Sequence, residues 1–361
     1  STAAQWLLDQ IQTRHGAGGR SEDEWLLYRG NVSRNGATQG DIPLIVSDNP
    51  LVNCRWRVAT CSHTRMEDEV AKVQQHYAAN QIPALPSLQP LAVGGVILMR
   101  TPRYLFAVDA STGKRIWLYD DLSLQMGEGL SPENNVDTLK NRSEVLGGWH
   151  QRIWDDAPYG QMSSDGERVY LINKLGYPTN RRMLVGRNGI NFPNPLGLKS
   201  YNELVALELR SQGKRQWIIG GESGNDDSAL SGAFFLGAPL PIDGQLYVLA
   251  EISGEIHLLI LDAVTGNLVW RQPLIHTEET SGTIIRNSLR RVAGATPSLG
   301  DGILVCPTTA GAVVAVDVAT RSLLWGFEYE TVGGNKRENA WGLARRHITR
   351  GQPGNRWNDA T

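Results

Sequence analysis

The chain has little of what marks several common classes of protein. Of its 361 residues only Cys54, Cys61 and Cys306 are cysteine, an odd count, and none is adjacent to another. A metal site would want more sulfur, or histidines at ligand spacing, and His63 two positions from Cys61 makes only a pair. That leaves structural thiols, or a Cys54–Cys61 bridge if the compartment is oxidising. Neither sign of charge dominates. Lys plus Arg number 35 against 37 for Asp plus Glu, so there is no electrostatic footprint for nucleic acid or an anionic membrane. No apolar run is long enough for a signal peptide or a membrane span. Five phenylalanines against 39 glycines suit turn-rich β-structure and not a helical bundle. No serine–histidine–acid set and no glycosidase-like carboxylate pair stands out from the turn acids. Gly127-Glu-Gly129 lacks the third glycine, the strand and the helix that cradling a phosphate requires.

What the chain does have is repetition. LFAVDASTGKRIW ending at Trp117, LVALELRSQGKRQW at Trp217, LLILDAVTGNLVW at Trp270 and VVAVDVATRSLLW at Trp325 share one plan. Each is a period-two apolar strand, an acid, a tight turn and a second strand carrying tryptophan. The acid (Asp109, Asp262, Asp317; Glu208 in the degenerate second copy) can bond its own turn backbone, and glycine at 113, 213 and 266 accepts positive φ. The fourth copy has Thr320-Arg321 where Thr-Gly would stand. Upstream of each lies a second hairpin signal, as in Pro241-Ile-Asp-Gly-Gln-Leu-Tyr-Val248. Two hairpins per unit make a four-stranded meander, and spacings of 53 and 55 residues between the last three tryptophans fit one propeller blade each. The interval from Trp117 to Trp217 is a hundred residues. Its excess falls at 121–150 and 174–200, read as long loops on one blade, the alternative being an unrecognised extra blade.

Carried by Ala107-Val-Asp109…Thr112-Gly113…Trp117, Leu261-Asp262…Thr265-Gly266…Trp270 and Ala315-Val-Asp317…Trp325, the pattern resembles the pyrroloquinoline-quinone (PQQ) repeat family of β-propellers. The opening Trp25-Leu-Leu-Tyr-Arg-Gly…Gly36 is similar to the lead-in of such propellers. The resemblance implies an all-β fold of four-stranded antiparallel blades over residues 21–361, in a partial ring, with Trp117, Trp217, Trp270 and Trp325 docking blade on blade. It also implies a periplasmic or cell-envelope location. Catalytic members hold PQQ under a disulfide of adjacent cysteines with a calcium ion. This chain has no such cysteine pair, and its candidate oxygen ligands are Asp155-Asp156 and Asn225-Asp226-Asp227.

Residues 3–14 read as a short amphipathic helix, so that 1–20 looks like the end of an upstream helical region. Cys54-Arg-Trp56-Arg-Val58 reads as a lone outermost strand. A second helix is expected over 65–80, opened by the capping box Thr64-Arg-Met-Glu67 with Met66, Val70, Val73 and Tyr77 as its apolar stripe. One loop concentrates aromatic, cationic and acidic groups: Trp149, His150, Arg152, Trp154 and Asp155. Such residues suit a recognition surface, or a loop folded over its own blade. The expected function is a non-catalytic scaffold engaging a protein partner or an envelope polymer. The alternatives are a PQQ- and calcium-dependent oxidoreductase with its cofactor residues in further blades, and a carbohydrate-binding propeller resting on exposed tryptophans.

Overall fold

In a computed structural model the described residues are 24–37, 55–60, 64–81, 85–101, 104–120, 152–175, 199–277, 283–285 and 287–329. They form four antiparallel sheets in chain order. Blade one is β1 (Leu91–Val93), β2 (Val96–Arg100), β3 (Tyr104–Asp109) and β4 (Arg115–Asp120). Blade two is β5 (Ser163–Ser164), β6 (Arg168–Asn173), β7 (Glu203–Glu208) and β8 (Lys214–Gly220), with β9 (Gly224–Asn225) as a fifth, outermost strand. Blade three splits its inner strand into β10 (Phe234–Phe235) and β11 (Leu240–Ile242), both paired to β12 (Gln245–Ile252), followed by β13 (Glu255–Asp262) and β14 (Leu268–His276). Blade four is β15 (Ser298–Gly300), β16 (Ile303–Pro307), β17 (Ala312–Asp317) and β18 (Leu323–Glu328). The expected meander is therefore present in all four, with one extra strand in two of them.

The hairpins follow from local chemistry. The turns between first and second strands use Gly94-Gly95 (φ 55° and 77°), Asp243-Gly244 (47° and 76°) and Asp301-Gly302 (48° and 76°). Two successive positive φ values match the strand twist that a two-residue hairpin needs. In the outer turns the acid acts as a second backbone. Asp109 Oδ1 accepts from the amides of Ser111 (3.0 Å) and Thr112 (2.7 Å) and from both hydroxyls. Asp262 and Asp317 repeat the arrangement on Thr265 and Thr320. These bonds favour the ionised form: the Ser111 and Thr112 side chains, with the turn amides, hold the Asp109 carboxyl down to about 2, and Asp262 and Asp317 are lowered by their threonines.

A feature that strict alternation hides recurs in every blade. The register between third and fourth strands slips just before the tryptophan: Ala107 faces Trp117 but Val108 faces Arg115. The same slip falls at Ala206/Leu207, Ile260/Leu261 and Ala315/Val316, and blade three has a second at Ile256/His257. Ile116, Gln216, Val269 and Leu324 are thus bulged residues, and the apolar three are exposed as a consequence. The bulge aims the indoles of Trp117, Trp217 and Trp270 at the next blade. Trp117 lies against Gly213, where an added Cβ would meet the ring at 2.6 Å. Trp217 lies against Gly266, and its Nε1 donates to Ala263 O at 3.1 Å. Trp270 meets Arg321, whose guanidinium carbon stands 5.8 Å from the ring centroid and whose φ of 58° keeps the glycine-like turn. Trp56 does the same for blade one, donating to Ala110 O at 2.9 Å over Gly113, although residues 55–60 form no strand. Trp117 seats directly on the blade that contains Trp217, so blades one and two are neighbours; of the stretches read from the sequence as long loops, 121–150 and 176–198 lie outside the described residues.

Helix α1 (Thr64–Ala79) matches the expected inserted helix. Val70, Val73 and Tyr77 pack on the core, and Tyr77 meets Trp154 edge-on at 5.6 Å. Its Met66 and Thr64 side chains, the 3–14 helix, Cys54 and Cys61 lie outside the described residues. Among the described residues no helix is long and apolar enough to cross a membrane.

Candidate functional site

The first turn of each blade and its acid turn share one face. The opposite face carries the second-to-third strand loops and the connections between blades, and there the chain gathers its buried charges. Arg100, at the end of β2, donates to Tyr159 O (2.8 Å) and to Asn173 Oδ1 at the end of β6 (2.6 Å). One residue thus joins blade one, the connector between blades one and two, and blade two. That connector holds residues 152–154 and the one-turn α2 (Ala157–Gly160), capped by Asp156, whose side chain accepts from Tyr159 N at 3.1 Å. Arg152 ion-pairs with Asp156 on the inner side. The Tyr159 ring lies under Arg100 at 3.6 Å and Arg152 at 4.4 Å. Burial pushes the Asp156 carboxyl up, and the guanidiniums of Arg152, Arg100 and Arg291 oppose it.

Blades two and three are tied by α3 (Ser288–Ala293), which opens on an Asn287 cap and lies in the connector to blade four. Arg291 donates to Lys199 O (2.7 Å) and to Leu175 O, the two stems of the insertion at 176–198, while stacking on Phe234 at 4.6 Å. Its burial lowers the guanidinium to about 10, which still leaves it cationic at neutral pH. Arg290 pairs with Glu251 at 2.6 Å, and the second Glu251 oxygen accepts from Ile284 N at 2.8 Å. Glu203 receives Lys174 at 2.7 Å and Asn225 at 3.0 Å. Arg100, Arg152, Asp156, Glu203, Glu251, Arg290 and Arg291 are all buried. Chemically this is a set of staples: cations ended on carbonyls and carboxylates, at the roots of the longest loops.

Of the loop expected to carry recognition, Arg152 and Trp154 are 2% and 8% exposed and face the fold, while Asp155 is exposed. Trp149 and His150 lie outside the described residues. In the two acidic clusters Asp156, Asp226 and Asp227 turn oxygens to the chain itself. Asp156 serves Arg152 and Tyr159 N, Asp226 accepts from Ile218 N (2.9 Å), and Asp227 accepts from Ala229 N (2.9 Å) and Leu268 N (2.8 Å). Among the described residues no group of three or more His, Cys, Asp or Glu is placed to hold a metal. The staples themselves escaped the sequence reading. Their one sequence signal was arginine in mostly apolar surroundings: Arg100 at the end of β2, Arg152 before Ile153-Trp154, and the Arg290-Arg291 pair in α3.

Residues 200–343 match the family model described as outer membrane protein assembly factor BamB. No curated protein matches the chain. Among solved structures, BamB from Moraxella catarrhalis is similar at 16% identity and a TM-score of 0.38, over 65% of this chain and 50% of that one. The quinohemoprotein alcohol dehydrogenase ADHIIG from Pseudomonas putida HK5 is similar at 15% and 0.37, over 66% of this chain and 33% of that one. The corresponding enzyme from Comamonas testosteroni gives 15% and 0.39, over 70% and 36%. The chain thus spans half or less of the length of each. The matched residues 200–343 take in β7 to β9 of blade two and the whole of blades three and four, and this part of the chain carries PQQ-like repeats.

Proposed function

We propose that the chain is a non-catalytic propeller scaffold of the cell envelope, whose loop face engages a protein partner or an envelope polymer. The observation that carries this reading is the use made of buried charge. On the loop face Arg100, Arg290 and Arg291 hold loop stems and strand ends at fixed positions, and the acids are spent on those cations and on backbone amides. A rigid base under long insertions suits display of a binding surface. The description of the family that matches residues 200–343 supports an envelope setting. Asp155, exposed between the buried Trp154 and Asp156, marks where the surface begins, with Trp149 and His150 just upstream in the chain.

The test has two arms. A photo-crosslinking residue at Asp155, used in envelope preparations, is expected to yield one discrete adduct that is absent when the same residue replaces Lys114 on the opposite face. Incubation with PQQ and calcium is expected to leave no bound quinone absorbance and no alcohol-dependent dye reduction. Turnover above the buffer rate would replace the scaffold with a quinoprotein oxidoreductase.

A further inference from the structure

Residues 24–37 belong to none of the four blades, yet they bond to the innermost strand of three. Trp25 and Ala92 of β1 exchange both backbone bonds (2.9 and 3.1 Å). Glu24 accepts from Gly94 N at 3.0 Å. Leu26 O accepts from Ser164 N of β5 at 2.9 Å, and Leu27 bridges Ser163. The segment then reaches blade four, where Val32 O accepts from Leu299 N of β15 at 2.9 Å. Ser33 Oγ donates to Leu299 O (2.7 Å) and Arg34 Nε to Pro297 O (2.9 Å).

The blade-four end is a preformed loop. Gly30 N donates to Leu27 O (2.8 Å), and Gly36 N to Arg29 O (2.9 Å). Arg29, Gly30 and Arg34 take φ of 63°, 86° and 55°. The Trp25 ring closes over Gly30, where a Cβ would stand 3.0 Å from it. Arg34 locks both sides at once, since its Nη1 donates to Tyr28 O at 3.0 Å while its Nε holds Pro297.

This path has a mechanical consequence. Successive blades from one to four meet at three tryptophan seats, at Gly213, Gly266 and Arg321, beside side-chain bonds such as Arg100 to Asn173 and Leu268 N to Asp227. Small rotations at each seat add. Seven residue steps from Trp25 to Val32 span at most roughly 23 Å, at ~3.3 Å per residue, so the segment limits how far β15 moves from β1.

We propose that residues 24–37 are a clasp, anchored on blades one and two and latched on blade four through Ser33 and Arg34, which sets the curvature of the four-blade arc. Unlatching frees the inner edge of β15 and lets the arc open with every tryptophan seat intact.

The full chain tests this directly. Hydrogen exchange is compared between wild type, Ser33→Ala with Arg34→Ala, and Arg34→Lys, which keeps the charge but not the two-way reach. Spin labels at Lys114→Cys and Ala319→Cys, both exposed in outer turns, report the distance from blade one to blade four, with Cys54 and Cys61 changed to Ser. In the double variant the Leu299 amide should exchange faster by on the order of 10- to 100-fold, while β12 and β13 exchange as before and the label distance shifts longer. Arg34→Lys should show the same selective change at smaller amplitude, and it supplies the readout if the double variant does not fold. A wild-type Leu299 rate, an unmoved label distance, or equal acceleration in all four blades would each overturn the clasp.

Discussion

Replacing Gly266 by alanine tests the joint on which the architecture rests. The new Cβ would stand 2.8 Å from Trp217 Cδ2 and 2.9 Å from Cε3, on a residue with φ of 77°. Two costs arise. Holding a β-carbon in the left-handed region costs ~1–2 kcal/mol. Displacing a packed indole in a filled core costs a further ~1–3 kcal/mol, because Trp217 is 3% exposed and its Nε1 is committed to Ala263 O. The sum is ~2–5 kcal/mol. The terms separate in a double-mutant cycle. With Trp217→Ala already present, Gly266→Ala should cost only the backbone share, ~1–2 kcal/mol, and the coupling should equal the indole share. Urea unfolding followed by tryptophan fluorescence gives the energies, and hydrogen exchange places the loss at the joint of blades two and three. Additive effects of the two substitutions, or a Gly266→Ala cost below ~1 kcal/mol, would show that the ring does not bear on this turn.

Other consequences are quicker to check. Removing Arg290 by Arg290→Ala leaves Glu251 buried without its cation, an expected loss of ~3–5 kcal/mol in urea unfolding; a loss under ~1 kcal/mol would mean the pair does not hold the connector. The Asp109 carboxyl, lowered to about 2 by its turn bonds, favours the fold in full above the ordinary carboxylate range and loses that contribution as pH falls through about 2. Exchange of the Thr112 amide should therefore stay slow down to about pH 3 and accelerate below it, and acceleration beginning near pH 5 would contradict the turn geometry. Burial pushes the Cys306 thiol up to about 12, so in a Cys54→Ser, Cys61→Ser background a thiol reagent should label it only after unfolding. Prompt labelling of the native protein would place Cys306 elsewhere than the centre of blade four.

Much of this molecule is written in short-range signals. An acid followed two or three residues later by Ser or Thr forms its own turn wherever it sits, and Asp-Gly or Gly-Gly between apolar runs forms a hairpin. Asp109, Asp262, Asp317, Gly244 and Gly302 could therefore be read before any coordinates. Helix α1 was legible for the same reason, since its stripe is local and periodic.

The staples were not legible. Arg100 and Arg291 each end on a carbonyl from another part of the chain, Arg100 on Tyr159 O and Arg291 on Leu175 O, 59 and 116 positions away, and no sequence interval encodes those meetings. The same holds for the clasp, in which Arg34 finds Pro297 O 263 positions on.

By itself, then, the sequence determined the repeat, its meander and the turn beside each glycine, because those depend on φ preferences and on side chains within three residues of their partners. It also set which residue of each unit would be tryptophan. Only the tertiary structure decided where those indoles point, since the bulge before each one appears only when two strands pair out of step. It likewise decided that Trp154 and Arg152 face inward, because burial depends on what α1 and the neighbouring blade bring to the same place.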